Sequence, residues 1–301
     1  MKQLNFDNSQ LMNLDYSLRK RIHLTNSLGT YLKTSVVFCN TLRNDGLFVC
    51  RIPEIDDDKH VLLSALDESI ICKGFDYNLG THQYPGVLYP DGYKYITQIL
   101  HEPLPTIDYA MGAVELTKQV VLAKDENILL FKYTLREGFA QTTLRLLPYF
   151  AFRSINALNK ANPDIKPIAL KVPNGLKIKL YDDYPYLFLQ ASCDLQIKPY
   201  SNWFYNMEYR EDDASGTAYT EDLLAPSYFE IELHESQSLI LAVSLFEINP
   251  AILDAFFTQE ATRTTKTEAR NPHSANRMFS SNKSIVYPKQ HKPAYQTAMM
   301  Y

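Results

Sequence analysis

The chain has few cysteines, little net charge and no long hydrophobic run. Its four cysteines lack C-x-x-C spacing, which argues against zinc or redox motifs and predicts buried free thiols in a reducing compartment. A formal net charge of −4 without basic patches gives no reason to expect nucleic acid or an anionic membrane as a partner. Neither an apolar leader nor a run of about 18 uncharged apolar residues is present. We therefore expect a soluble cytoplasmic protein that uses no metal or cofactor.

What the chain does have is apolar and aromatic residues in a strand-like pattern. Hydrophobic residues make up 46% of it, and 21 residues are tyrosine, a type that fits strands better than helical bundles. Between residues 129 and 136 apolar and polar side chains alternate with a period of two, as on a half-buried strand. The alternation recurs at residues 114–122, 142–152, 176–180 and 229–234. Strands joined by turns at short intervals predict an all-β fold, a large antiparallel β-sandwich.

Two segments fall outside this strand pattern. Residues 79–93 are dense in Gly, Pro and Tyr and predict a long ordered loop over one face of a sheet. Asn249 followed by Pro250 predicts the start of a short C-terminal helix. Beyond it the composition becomes polar without a sustained period, so we predict one domain over residues 1–262 and an irregular or disordered tail over residues 263–301.

Residues 201–213 combine the chemistry that a sugar site would use, since they contain the one tryptophan, two tyrosines and four carboxylates. A lone tryptophan beside a polar hairpin is also common in sandwich cores, so composition alone favours a structural role for the stretch. A period of two divides the stretch into an aromatic side with Trp203, Tyr205, Met207 and Tyr209, and a polar side with Asn202, Asn206 and Glu208. If the Trp203 side is core, a ligand would meet Asn206 and Glu208.

Several runs, taken in order, resemble the N-terminal domain of bacterial and archaeal-type glycogen debranching enzymes, the amylo-α-1,6-glucosidase group. The runs are LTNSLGTY (24–31), NTLR (40–43), GL (46–47), LGTHQYPG (79–86), YPDGY (89–93), PYFAFR (148–153), WFYNMEY (203–209) and EDL (221–223). Any one of them is weak, but the ordered set, spread over about residues 20–260, is specific.

The resemblance implies a super-sandwich, as in galactose mutarotase-like folds, normally followed by a helical (α/α)-barrel that carries the catalytic carboxylates. We expect that barrel to lie outside these 301 residues, so no catalytic residue is assigned. The implied role is binding of an α-glucan such as glycogen or a malto-oligosaccharide, and scaffolding of the barrel, in glycogen breakdown. The residues expected to contact carbohydrate are Asn26, Arg43, His82, Tyr84, Arg153, Trp203, Asn206, Glu208 and Glu221.

Two other functions stay open at this point. The chain can be a free-standing mutarotase-like sugar epimerase, with His82 as acid and Glu208 or Glu211 as base, if residues 79–92 fold over the strand. Alternatively, it is an interaction domain whose aromatic surface is buried against a barrel domain or against a second copy in a homodimer.

Overall fold

The computed structural model describes residues 5–7, 12–100 and 103–270, and these residues form mostly antiparallel β-structure. The strands are β1 (Asn5–Asp7), β2 (Arg21–Thr25), β3 (Tyr31–Ser35), β4 (Gly46–Arg51), β5 (Lys59–Cys72), β6 (Phe75–Asn78), β7 (Thr81–Tyr84), β8 (Val87–Asp91), β9 (Ile96–Leu100), β10 (Thr106–Met111), β11 (Val114–Leu122), β12 (Ile128–Glu137), β13 (Thr142–Ser154), β14 (Ile168–Val172), β15 (Gly175–Lys179), β16 (Leu187–Ala191), β17 (Gln196–Glu208), β18 (Thr220–Leu233) and β19 (Ser238–Ser244). The helices are α1 (Leu14–Ser17), α2 (Arg210–Ala214) and α3 (Leu253–Arg270), with 3-10 turns at Gly92–Tyr95 and Pro250–Ile252.

Two large sheets pack face to face. The nine-stranded sheet has the order β1-β9-β10-β11-β12-β19-β16-β15-β14, and the eight-stranded sheet has the order β17-β18-β13-β5-β4-β3-β2, with β6 beside β5. Strands β7 and β8 form a separate hairpin. All pairings are antiparallel, which confirms the predicted all-β antiparallel sandwich with one short C-terminal helix.

The main core lies between the two sheets because each presents one apolar face to the other. Phe131 and Leu116 of the nine-stranded sheet share one buried cluster with Phe48, Leu146 and Phe229 of the eight-stranded sheet. Three of the four cysteines, Cys39, Cys50 and Cys72, are buried as free thiols, and Cys193 is half-buried. Burial raises the pKa of Cys39 and of Cys50 to about 12, so both thiols are held in an inert, protonated form.

A charged pair crosses this core. Lys118 on β11 is fully buried, and its Nζ lies 2.7 Å from Oε1 of Glu68 on β5. The Tyr133 hydroxyl donates to the same carboxylate oxygen at 2.6 Å, and the Lys118 Nζ also lies 3.6 Å from the centroid of the Phe38 ring. Burial, followed by the Glu68 charge, raises the pKa of Tyr133 well above its usual value. A buried charge without a partner is costly, so this pair fixes the register of one sheet against the other.

Helix α3 covers the other side of the nine-stranded sheet. Its Leu253 and Phe257 are buried against Leu130 and Ile240. The helix continues to Arg270, past the domain boundary predicted at residue 262. Arg263 donates to Glu260 at 2.7 Å and to Asp125 at 2.5 Å. The rest of the predicted tail, residues 271–301, lies outside the described residues.

The segment predicted as a loop contains regular structure. Residues 79–93 form the β7-β8 hairpin and a 3-10 turn, and the hairpin lies on the eight-stranded sheet through Tyr84. Asp67 and Glu68 interrupt the apolar sequence of β5 without interrupting the strand, and their carboxylates find partners on opposite sides of the sheet.

The buried pair yields a stability prediction. Lys118→Met leaves the Glu68 carboxyl in the core without its cationic partner, so the free energy of unfolding should fall by about 3–5 kcal/mol. The measurement is urea unfolding followed by circular dichroism. The exposed Lys166 provides the control, and Lys166→Met should change the value by less than about 0.5 kcal/mol. Adding Glu68→Gln to Lys118→Met should recover part of the loss. An unchanged midpoint for Lys118→Met would contradict the structural role of the pair.

Candidate functional site

The eight-stranded sheet has a second face, turned away from the main core, that carries the side chains of functional interest. We call it the outer face. Its apolar centre contains Tyr31, Val49, Val61, Ala65, Tyr149, Ala151, Met207 and Leu223. Polar and charged side chains surround this centre, and the β7-β8 hairpin packs on it through Tyr84. Most of the residues that the sequence singles out as candidate ligand contacts belong to this face.

A buried acid holds the hairpin in place. Asp67 accepts a hydrogen bond from Tyr149 at 2.8 Å, and its other carboxylate oxygen lies 2.7 Å from Nε2 of His82. His82 is 6% exposed, so it is a core-side residue of the hairpin rather than a free surface base. The close approach requires glycine at position 80, since a Cβ there would lie 2.4 Å from Cγ of Asp67.

A second buried group connects β13, β17 and β18. Arg153 and Glu221, which are 4% and 0% exposed, form a two-bond ion pair with Nη2 to Oε2 at 2.7 Å. The Tyr209 hydroxyl donates to Glu221, and the backbone N–H of Asn159 donates to its other oxygen at 3.0 Å. Arg153 also donates to the carbonyl of Arg43 at 2.9 Å. Arg153 and Glu221 therefore have their hydrogen-bonding capacity occupied by the protein itself.

Helix α2 closes one end of the outer face. Asp212 accepts the backbone N–H of Arg43 at 2.5 Å and lies 3.5 Å from its guanidinium Nε. Glu211 accepts from Thr41 at 2.6 Å and from Arg21 at 2.9 Å. The acidic residues after Trp203 thus hold the loop around residues 41–45, so Glu211 is engaged away from His82.

Two irregularities in β17 overturn the predicted division of its faces. The pairing with β18 shifts between Pro199 and Asn202 and again between Phe204 and Met207, and Ser201 and Asn206 have φ values of 49° and 56°. Each bulge inserts one extra residue and reverses the alternation. As a result Trp203 packs against the main core while Met207 lies on the outer face, so the two do not share a side as predicted.

The hairpin and β17 leave a small cavity between them. Its lining includes His82, Gln83, Met207, Glu208 and Tyr209, and its volume is about 10 Å³. Such a volume admits about one water molecule and no sugar ring. Burial, with the nearby charge of Asp213, raises the pKa of Glu208 above its usual value. The structure therefore brings His82 and Glu208 to one cavity, which the sequence spacing could not show.

The remaining predicted contacts divide into structural and accessible ones. Asn26 accepts from the backbone of Leu28 and Thr30, both at 3.0 Å, and donates to the carbonyl of Glu126 at 2.8 Å, so it closes its own turn. Tyr84 is partly buried on the outer face, and burial raises the pKa of its hydroxyl. Asn206 is exposed at the second β17 bulge, where its backbone N–H donates to Asp222.

Sequence reasoning missed Asp67 and Tyr149 on this face. The available signal was the Asp67-Glu68 pair within an otherwise apolar strand, since buried carboxylates require partners. Over the described ranges, no group of three or more His, Cys, Asp or Glu side chains is placed to hold a metal ion. In the same part of the chain, none of the helices has the length and apolarity needed to cross a bilayer.

A comparison with models of known protein families identifies the family to which this chain belongs. The model for "glycogen debranching enzyme N terminal" matches residues 20–240. The chain belongs to this family. The runs that carry the family resemblance are also those that build the outer face, since they contribute His82, Tyr149, Arg153, Tyr209 and Glu221. Among curated proteins, none matches this chain.

Solved structures resemble the domain only distantly. A bacterial glucoamylase in complex with acarbose shares 12% identity at a TM-score of 0.38, over 73% of this chain and 31% of its own. A heparan sulfate lyase mutant from Pedobacter heparinus shares 12% identity at a TM-score of 0.33, over 56% and 22%. A polysaccharide lyase shares 14% identity at a TM-score of 0.28, over 79% and 34%. The chain thus spans about a third or less of the length of these proteins.

The position of Trp203 in this debranching-family domain yields a spectroscopic prediction. Its indole is half-buried against the main core, so in the native protein its emission should be blue-shifted and partly shielded from iodide relative to the unfolded chain. Because it is the one tryptophan, the signal has a single source. The same sample in urea, where the indole is solvated, provides the reference for full exposure. Native emission as red-shifted and as readily quenched as in urea would contradict the inward orientation.

Proposed function

We propose that this chain is the carbohydrate-binding and scaffolding domain of a glycogen debranching enzyme, an amylo-α-1,6-glucosidase that acts in the breakdown of glycogen or a related α-glucan. The observation that carries the proposal is the family match over residues 20–240. The hydrogen bonding on the outer face also supports the proposal. The carboxylates Asp67 and Glu221 are held by protein groups, as expected of a framework rather than of reacting acids.

The geometry favours placing the chemical step elsewhere. Glycoside hydrolysis needs two carboxyl groups facing the scissile bond, about 5–10 Å apart, with room for a sugar between them. On the outer face, the cavity beside Glu208 has a volume of about 10 Å³, which is too small for that arrangement. We therefore propose a helical catalytic barrel domain as the partner that supplies the acid and the base.

The proposed domain includes helix α3, which packs on the nine-stranded sheet through Leu253 and Phe257. Its partners would be an α-glucan and the barrel domain, with a second copy of the chain in a homodimer as a further partner. The free thiols Cys39, Cys50 and Cys72 fit a reducing compartment, and we propose the cytoplasm.

Binding without hydrolysis is the expected behaviour of this domain. Calorimetric titration with maltoheptaose should give saturable binding, and incubation with glycogen limit dextrin should release no glucose. Cellohexaose, which has the same sugar joined by β-linkages, serves as the control ligand and should bind more weakly. Absence of binding to both maltoheptaose and glycogen would overturn the carbohydrate-binding role, whereas release of glucose would overturn the assignment of catalysis to another domain.

A second function has one specific observation in its favour. His82 and Glu208 line the same cavity, which is the acid and base pair that a sugar epimerase of the mutarotase type would need. The small volume of the cavity and the engagement of His82 by Asp67 count against turnover of a sugar there.

Optical rotation separates the two functions. We expect the chain to leave the rate of anomer interconversion of α-D-glucose at its buffer value. Acceleration that is lost in both His82→Asn and Glu208→Gln, but kept in the exposed control Glu232→Gln, would establish the epimerase function instead.

A further inference from the structure

The outer face carries a row of aromatic rings that the buried groups leave free. Phe204 lies 4.6 Å from Tyr149 between ring centroids, Tyr200 lies 6.3 Å from Phe204, and Tyr228 lies 5.7 Å from Tyr200. The guanidinium of Arg145 ends the row, 4.9 Å from the Tyr228 ring centroid. The rings therefore form one continuous track, from the apolar centre of the outer face to its charged end.

The outer part of this track is accessible. Tyr200 is 42% exposed, and Phe204 and Tyr228 are partly exposed. Tyr200 and Phe204 lie on β17, which ends the order of its sheet and pairs only with β18 among the described strands. Asn202 lies between them in register with Ala225 and adds an exposed amide to the track. An extended ligand could thus contact β17 at its exposed residues Tyr200 and Asn202.

The track is preorganised by contacts within the protein. Each ring contacts the next, and Tyr149 at the inner end is fixed by its hydrogen bond to Asp67. The first β17 bulge, at Ser201 with a φ of 49°, sets the position of Tyr200 beside Tyr228. Rings held in this way lose little rotational freedom when a ligand stacks on them.

The charge at the end of the track suits an uncharged ligand. Arg145 donates to Glu230 from Nε at 3.1 Å and from Nη2 at 2.9 Å, and its Nη1 donates to Asp76 at 2.9 Å. Lys198, directly opposite Tyr228 in the β17-β18 pairing, adds a second cation on this face. Two carboxylates therefore balance two cations, leaving no excess positive charge for a sulfate or uronate group. Hydroxyl groups, in contrast, can both donate to such carboxylates and accept from neighbouring amides.

We propose that the track of Phe204, Tyr200 and Tyr228, ended by Arg145, is a binding platform for an uncharged α-glucan chain. Aromatic faces match the apolar C–H faces of glucose units, while Asn202, Glu230 and Asp76 offer hydrogen-bonding groups to the hydroxyls at the edges. The inference rests on the proposed carbohydrate-binding function and assigns it to residues outside the family-related runs, Phe204 excepted.

The test compares ring-removing and ring-keeping variants of the full chain. Tyr200→Ala and Tyr228→Ala should each raise the Kd for maltoheptaose about tenfold. This is the size of effect expected when an aromatic side chain is removed from a binding surface. Tyr200→Phe keeps the ring and should keep the wild-type Kd. Tyr186→Ala is the matched control, since Tyr186 is a partly exposed tyrosine under the cation of Lys177 but lies next to β16 of the other sheet.

The outcomes distinguish this inference from the proposed function. Migration through glycogen-containing native gels and thermal melting are measured for every variant, so that a folding defect is recognised as a lowered melting temperature. If the wild type binds maltoheptaose and folded Tyr200→Ala and Tyr228→Ala bind equally well, the platform is overturned while the binding function stands. If the wild type binds no α-glucan, the proposed function fails and the platform fails with it.

Two further probes bear on the identity of the ligand. Heparin and polygalacturonate, as anionic polysaccharides, should bind no more tightly to the wild type than to Tyr200→Ala. Tight heparin binding that depends on Tyr200 would overturn the assignment to an uncharged glucan.

The oligomeric state provides a separate test. Analytical ultracentrifugation should give the same sedimentation coefficient for the wild type and for the variants. A shift from dimer to monomer in Tyr200→Ala without loss of glucan binding would identify the track as a self-association surface and overturn the inference.

Discussion

Two neighbouring carboxylates on strand β5 hold both the core and the outer face together. Successive side chains of a strand point to opposite faces, so Glu68 enters the main core while Asp67 lies under the outer face. Glu68 is paired with Lys118 of the opposing sheet, and Asp67 contacts His82 and Tyr149. Both acids are almost fully buried, and an unpaired charge there would cost several kcal/mol. The same strand therefore sets the sheet-to-sheet register and the position of the hairpin.

The outer face consists of a closed part and an open part. In the closed part, Arg153, Glu221 and Tyr209 satisfy one another, and helix α2 secures the neighbouring loop through Asp212. Side chains that hydrogen-bond to one another in this way make this part of the face rigid, because a ligand could bind them only by replacing strong internal hydrogen bonds. The open part is the aromatic track on β17 and β18, whose rings contact one another but leave faces free. A rigid base beside accessible rings agrees with the carbohydrate-binding role that we propose.

The fold could be predicted from the sequence to a large extent, whereas the site could be predicted only in part. Strands such as β11 and β12 follow directly from apolar side chains at every second position. Of the predicted carbohydrate contacts, His82, Arg153 and Glu221 belong to the outer face as structural groups, and Asn26 closes a turn. Trp203 packs inward because bulges in β17 shift its register. A bulge arises from pairing with a neighbouring strand, and local spacing gives no sign of it.

The amino-acid sequence by itself determined the class of fold, the family and the inventory of groups that need partners. Periodicity and composition act locally and are visible in a single strand, and the family runs are read directly from the chain. Only the tertiary structure decided which partner each group has. It brought Glu208 to the cavity of His82, aligned Tyr200 with Tyr228, and placed Arg263 of helix α3 beside Asp125. These outcomes depend on contacts between residues far apart in the chain, and only folding brings those residues together.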